Sequence, residues 1–221
     1  MGTALRRVST HGQTRRRVEF SSRRKSMTQP VPLGENAWIG RHTLISAERA
    51  HALGLVTLYW NFCEAGLAEL VTDYSGMKPA DAAHFLYGAN AVSLLDLLRG
   101  LARRNEKRPD LLEALDHAIT CVDICRRNRN NLAHSWVNFK GDKLFKPNRA
   151  RGGNPFTEVF SFDLGEIREV AEDCYTAGQY LMHFGLHRTY LDHPTISAPL
   201  PEKLQIPQTL KSIDRIAPDT P

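Results

Sequence analysis

The chain has 221 residues, 42% of them hydrophobic, which is enough for one domain with a real core and terminal extensions. Its cysteines form no CxxC pair, which predicts a cytoplasmic protein without a disulfide scaffold. No apolar run approaches the roughly 18 residues of a membrane-spanning helix, so a soluble protein is predicted. The formal charge of +5 lies mostly in one tail, which favours a local phosphate site over a broad basic surface.

The basic tail is the first element of the chain. Residues 1–26 hold eight Lys or Arg side chains and one Glu, a net charge of +7, which leaves −2 for all the other residues. Residues 1–42 are predicted to be a basic, disordered extension. Residues 1–26 could bind RNA, target the protein, or precede a true start at Met27.

Two helices are predicted next, from apolar residues at three- and four-residue steps. The first begins after Ser46, a suitable N-cap, and ends near Tyr74. The second covers about 80–104 and follows Pro79, whose missing N–H costs nothing in the first turn. The predicted core stripe of the first helix is Leu55, Leu58, Phe62, Ala65 and Leu70. That of the second helix is Phe85, Ala89, Val92, Leu95 and Leu98.

Two further helices are predicted after residue 108, with a change of period between them. The third starts at Pro109 and the fourth is capped by Asp163. Between them the period becomes two, which predicts a β-hairpin at about 136–162 with a turn at 140–143. The apolar stripe of the third helix is Leu111, Leu115, Ala118, Val122 and Cys125, continuing in register to Arg129, Leu132 and Trp136.

The predicted fold class is all-α, a four-helix bundle over 43–191 with a small inserted β-hairpin. Core residues predicted for the last helix are Ile167, Val170, Ala171, Cys174, Ala177, Tyr180 and Leu181. Six prolines after Leu191 predict that 192–221 is an extended tail with little that can pack.

An inward-facing Arg129 needs an explanation, because a guanidinium cannot shed its charge when it is buried. His134 can exchange protons near neutral pH, and Asn130 offers amide donors and an acceptor. RNA cleavage needs a base for the 2′-hydroxyl, an acid for the leaving 5′-oxygen and a fixed cation, which these side chains can supply. Alternatively, Arg129 pairs with a buried acid such as Glu64 or Asp96 and has a structural role.

Positions 129 and 134 lie about 140° apart on a straight helix and therefore do not share a face. Two arrangements could bring their side chains together. The stretch containing Asn128, Asn130 and Asn131 could break the helix, since asparagine favours caps and turns, or two subunits could pool their Arg and His in one cleft.

The segment Arg129-Asn130-Asn131-Leu132-Ala133-His134 resembles the Rx4-6H motif of HEPN domains in its Arg-polar-x-x-x-His form. The resemblance covers residues 46–190 in architecture and only 129–134 in sequence. It implies a dimeric helical bundle in which Arg129 and His134 are the catalytic pair and Asn130 the supporting polar residue.

In function, the resemblance implies a metal-independent endoribonuclease that cleaves single-stranded RNA without a cofactor, in toxin–antitoxin, phage-defence or CRISPR systems. Some HEPN domains instead bind RNA or protein without cleaving, which is the alternative. The partners implied are RNA, a second copy of the chain, and an antitoxin or nucleotidyltransferase. No membrane partner is expected.

Several other residues are candidates for supporting roles. Arg127 stands at the x6 spacing from His134, and Asn131 lies within the motif. Asn61 and Glu64 interrupt the inward side of the first helix, so they could reach the motif or face a neighbouring helix end.

The hairpin is basic and could bind an RNA backbone, although a solvated loop is the ordinary interpretation; its basic residues are Lys140, Lys143, Lys146, Arg149 and Arg151. His183 and His187 share a helix face, but no third metal ligand is evident.

Overall fold

A computed structural model describes residues 44–86, 88–138, 140–148, 156–191, 193 and 195–217. The predicted basic extension, 1–42, lies outside these residues. The helices are α1 (Ala47–Ser75), α2 (Pro79–Leu86), α3 (Ala91–Asn105), α4 (Pro109–Ala133) and α5 (Leu164–Tyr190). The strands are β1 (Trp136–Val137), β2 (Lys143–Asn148), β3 (Phe156–Ser161) and β4 (Asp214–Ile216). The fold is mostly helical with a small antiparallel sheet, and no helix in the described ranges is long and apolar enough to cross a membrane.

The longest helices, α1 and α5, form the most extensive helix pair in the described chain. They run parallel, because Phe62 lies against Gly178 and, further along both helices, Leu70 lies against Gly185. Both helices have the predicted polar N-caps: Ser46 accepts a hydrogen bond from Arg49 N, and Asp163 from Glu166 N. Their close packing forms the centre of the hydrophobic core.

Helix α4 packs against α5 in the opposite direction, with Cys125 beside Cys174 and Cys121 beside Tyr180. Its last turn therefore lies at the end of the helices where α5 begins. The turn between β1 and β2 lies at this end too, since Arg49 near the start of α1 donates to the Gly141 carbonyl at 3.0 Å. The motif is thus placed between the helices and the sheet.

The sheet has the order β1-β2-β3-β4, and all neighbouring strands are antiparallel. Leu144 and Phe160 pair across β2 and β3 and are buried in the helical core. Trp136 and Phe145 pair across β1 and β2 on the other face, since side chains alternate along a strand. Gly141 has a φ of 70° in the predicted turn, a conformation that glycine adopts without strain.

The predicted core stripes are confirmed for α4 as far as Leu132, apart from half-buried Arg129, and for all of α5. In α1 the predicted register is partly wrong: Leu70 is buried but Leu58 is 62% exposed. The buried hydrophobic side chains of α1 are Ala52, Val56, Trp60, Cys63, Leu67, Leu70, Val71 and Tyr74.

The predicted second helix is wrong, because two helices occupy its range. Gly88 adopts a φ of 81°, and Asn90 then caps α3 by accepting a hydrogen bond from Ser93 N. The break ends the continuous register, so Phe85 and Val92 of the predicted stripe are 63% and 46% exposed.

Antiparallel strands are confirmed within the range predicted for the hairpin, 136–162, and the predicted turn at 140–143 joins β1 to β2. The range holds three strands, β1, β2 and β3, which belong to a sheet of four. Strand β1 directly follows α4, and β4 comes from the predicted tail. The expectation that this tail packs little is wrong for the described part: Leu204 and Leu210 contact the core, and Pro207 is buried. These apolar side chains help to hold an otherwise extended segment against the helices.

The contact between α1 and α5 yields a stability prediction. A Cβ atom added at Gly178 would lie 2.4 Å from Phe62 Cδ1. We expect Gly178→Ala to lower the free energy of unfolding by about 1–3 kcal/mol, because the ring must move within a packed interface. Gly100→Ala is the control, with no atom within 4 Å of the new Cβ. In urea denaturation, Gly100→Ala should raise the free energy of unfolding by about 0.5–1 kcal/mol. Equal effects of the two substitutions would show that the interface is loose.

Candidate functional site

The motif occupies the last turn of α4 and the residue that follows it. The helix continues through the asparagine-rich stretch to Ala133, so the hypothesis of a break between Arg129 and His134 is wrong. His134 is the C-cap, with φ −106° and ψ 15°, and its N–H donates to the Asn130 carbonyl at 3.1 Å. In the described part of the chain, no hydrogen bond joins the Arg129 and His134 side chains.

Arg129 is half-buried, and one of its N–H donors makes no hydrogen bond to a described residue. Its Nη1 donates to Asn130 Oδ1 at 3.1 Å, whereas its Nε is buried and has no hydrogen-bond partner among the described residues. The pairing with Glu64 or Asp96 does not form; Asp96 is exposed and pairs with Arg99 at 3.7 Å. Arg129 therefore keeps a positive charge without a described counter-ion, which suits it to bind an anion.

His134 is exposed, and its ring has no hydrogen-bond partner among the residues that the structure describes. Asn130 lies between the two predicted catalytic residues along the chain. Its side chain accepts from Arg129, and its carbonyl accepts from the His134 backbone. Only the contact with Arg129 uses the Asn130 side chain, because the bond to His134 is the ordinary backbone bond of the last helical turn.

Asn131 connects the motif to the sheet. Its Oδ1 accepts a hydrogen bond from Lys146 Nζ at 2.7 Å, and its carbonyl accepts one from Ser135 Oγ. Lys146 lies in β2, so the basic hairpin supplies a second cation beside the motif. Lys140 and Lys143 are exposed, whereas Arg149 and Arg151 lie outside the described residues.

Asn128 holds the C-terminal segment against α4. It is fully buried, its Nδ2 donates to the Gln208 carbonyl at 2.7 Å, and its Oδ1 accepts from Leu210 N at 2.9 Å. This role was missed in the sequence, where Asn128 was interpreted only as a residue that favours caps and turns. Its place three residues after Cys125 on the buried stripe was the signal, because a buried amide requires partners.

The other supporting candidates have no described contact with the motif. Arg127 is exposed, and its Nε lies 3.4 Å from a carboxylate oxygen of Asp123. Asn61 is exposed and Glu64 is half-buried, and no described hydrogen bond or ion pair joins either one to Arg129 or His134.

Trp136 differs from its predicted place on the core stripe. It is 52% exposed and stacks on Phe145, with ring centroids 5.9 Å apart and planes inclined by 17°. The helical register ends at Ala133, so a periodicity of 3.6 no longer applies to residue 136. The exposed indole is therefore part of the surface beside the motif.

Other chemistry has less support in the described chain. Burial raises the pKa of the Cys63 and Cys121 thiols, so neither is an activated nucleophile near neutral pH. No group of three His, Cys, Asp or Glu side chains in the described ranges could hold a metal ion. A groove of about 640 Å³ between α1, α2 and α5 is lined by Leu86, Met182 and Leu186, among others, but by no motif residue.

Compared with known proteins, the chain matches no protein-family model, no curated protein and no solved structure. The resemblance to HEPN domains therefore consists of the six-residue motif and its position at the end of a helix.

The two hydrogen bonds of Asn128 yield a second prediction. We expect Asn128→Ala to lower the free energy of unfolding by about 1–3 kcal/mol, because it leaves the Gln208 carbonyl and Leu210 N–H without their partner. Limited proteolysis should then cut between residues 195 and 217. Gln208→Ala is the control, since Asn128 contacts only the backbone there, and it should change stability by less than about 0.5 kcal/mol. Equal protease resistance of both variants would contradict this role of Asn128.

Proposed function

We propose that the chain is a HEPN-type endoribonuclease that cleaves single-stranded RNA without a metal ion, at a site formed by Arg129, Asn130 and His134. The observation that carries the proposal is the half-buried Arg129, with a buried Nε that has no described partner. A guanidinium with an open donor fits a phosphate, which can accept two of its N–H groups at once. The exposed His134 then supplies a proton-transfer group at the same helix end.

The residues suit an internal transesterification. His134 removes the proton from the 2′-hydroxyl, the 2′-oxygen attacks phosphorus, and the bond from phosphorus to the 5′-oxygen breaks. A protonated His134 gives a proton to the leaving 5′-oxygen, so the products are a 2′,3′-cyclic phosphate and a 5′-hydroxyl. Arg129 stabilises the charge on the phosphate oxygens, and Asn130 positions Arg129 through their hydrogen bond.

The site is proposed to be shared between two copies of the chain. Helix α4 is unbroken from Pro109 to Ala133, which keeps the residues at positions 129 and 134 on different faces. A two-fold dimer that apposes the ends of α4 would place the Arg129 of one copy beside the His134 of the other.

A second candidate is a HEPN-like module that binds RNA or protein without cleaving it. The ring of His134 favours this candidate, because no described residue orients it, whereas a catalytic imidazole usually has such a partner. A role as a toxin or defence protein, with an antitoxin or nucleotidyltransferase as partner, follows from the family resemblance and belongs to the proposal.

The proposal predicts RNA cleavage in the presence of EDTA. We expect His134→Ala and Arg129→Ala each to reduce the rate about 10²- to 10⁴-fold, because one loses proton transfer and the other a fixed transition-state donor. Arg127→Ala should keep most of the activity, since Asp123 already pairs with Arg127. The exposed His183 and Arg104 allow matched controls, and His183→Ala and Arg104→Ala should cut like wild type.

Gel analysis of the products should find 2′,3′-cyclic phosphate ends. RNA methylated at the 2′-oxygen should resist cleavage. Loss of cutting in EDTA, or normal rates for both His134→Ala and Arg129→Ala, would remove the catalytic assignment. RNA binding without cleavage would instead support the binding module.

The shared site predicts a dimer in light scattering at micromolar concentration. Mixing unfolded Arg129→Ala and His134→Ala chains and refolding them together should restore about a quarter of wild-type activity. The reason is that half of the random dimers are mixed and each mixed dimer holds one intact site. A monomer, or no recovery on mixing, would place the site within one chain.

A further inference from the structure

Trp136 and Phe145 form an aromatic surface directly after the motif. They face each other across β1 and β2, with ring centroids 5.9 Å apart and nearly parallel planes. Trp136 remains 52% exposed, so part of the indole is open to a third ring. The opposite face of the sheet holds Leu144 and Phe160 in the core. The hydrophobic core thus does not depend on the indole.

The position of Trp136 relative to the motif is fixed by short connections. Trp136 is two residues after His134, and the intervening Ser135 donates its hydroxyl to the Asn131 carbonyl. On β2, Lys146 follows Phe145 and donates to the Asn131 side chain at 2.7 Å. The strands that carry the aromatic pair are therefore connected to the motif through Asn131, from the sheet face opposite Phe145.

The charges around the aromatic pair favour a polyanion with planar rings. Neither β1 nor β2 contains an acidic residue, and β2 carries Lys143; the second lysine of β2, Lys146, lies on the opposite face of the sheet, with Leu144. Lys143 lies on the same face as Phe145, two residues away. Arg129 adds a further positive charge at the end of α4.

We infer that Trp136, supported by Phe145, is a stacking subsite for one nucleobase of a single-stranded RNA that binds at the motif, two residues after His134. The inference rests on the proposed function and adds a base-binding element to it. Bases of single-stranded RNA are free to stack on aromatic side chains, whereas paired bases are not. The subsite thus selects single strands, and it favours purines because their larger rings cover more of the indole.

Binding of an uncleavable RNA tests the subsite separately from catalysis. The probe is a fluorescein-labelled octamer of 2′-O-methyladenosine, and its dissociation constant is measured by fluorescence anisotropy with the full chain. Trp136→Ala should weaken binding about 5- to 150-fold, as expected for the loss of one base–aromatic stack. Trp136→Phe keeps a ring and should stay within about 3-fold. Phe85→Ala removes a 63% exposed aromatic ring from α2 and should bind like wild type.

Circular dichroism confirms that each variant is folded before binding is compared. An octamer of 2′-O-methyluridine should bind more weakly than the adenosine octamer, and Trp136→Ala should remove most of that difference.

The outcomes separate the subsite from the nuclease. If Trp136→Ala binds the octamer as tightly as wild type, the subsite is wrong, and cleavage is still decided by its own assay. If Trp136 is needed for binding but the chain cuts no RNA, the subsite stands and the chain is a binding module. If wild type does not bind the octamer at micromolar concentration, the subsite is overturned.

Discussion

The buried amide of Asn128 is the contact on which the geometry of the candidate site depends. It uses both ends of its side chain to bind the backbone at Gln208 and Leu210, and it lies one residue before Arg129. The C-terminal segment thereby becomes part of the domain, and its last strand completes the sheet beside β3.

On its other side, the end of α4 is held by the sheet through Asn131 and Lys146. Arg129 thus lies between the contacts of Asn128 and those of Asn131, and it has a buried donor that no described residue uses. An unpaired buried N–H costs free energy, and such costs tend to be kept where a ligand completes the site. A phosphate would supply the missing acceptor and the counter-charge together.

Local features of the sequence predicted an element correctly where its apolar stripe and its N-terminal cap or proline indicated the same helix. The helix from Pro109 and the helix capped by Asp163 are examples, as is the motif itself, since residues 129–134 form one continuous segment. Long-range contacts were not predictable: β4 pairs with β3 from more than 50 residues away, and no local period signals that pairing. Periodicity placed Arg129 inward but could not identify its neighbours, and it misplaced Trp136 because the helix ends before it.

The most direct test is a crystal structure of the chain with an uncleavable 2′-O-methyl RNA. We expect a phosphate oxygen within hydrogen-bond distance of the Arg129 guanidinium, with Nε among the donors, and an imidazole of His134 beside the adjacent 2′-oxygen. A complex in which the RNA binds elsewhere, while Arg129 contacts no phosphate, would contradict the account.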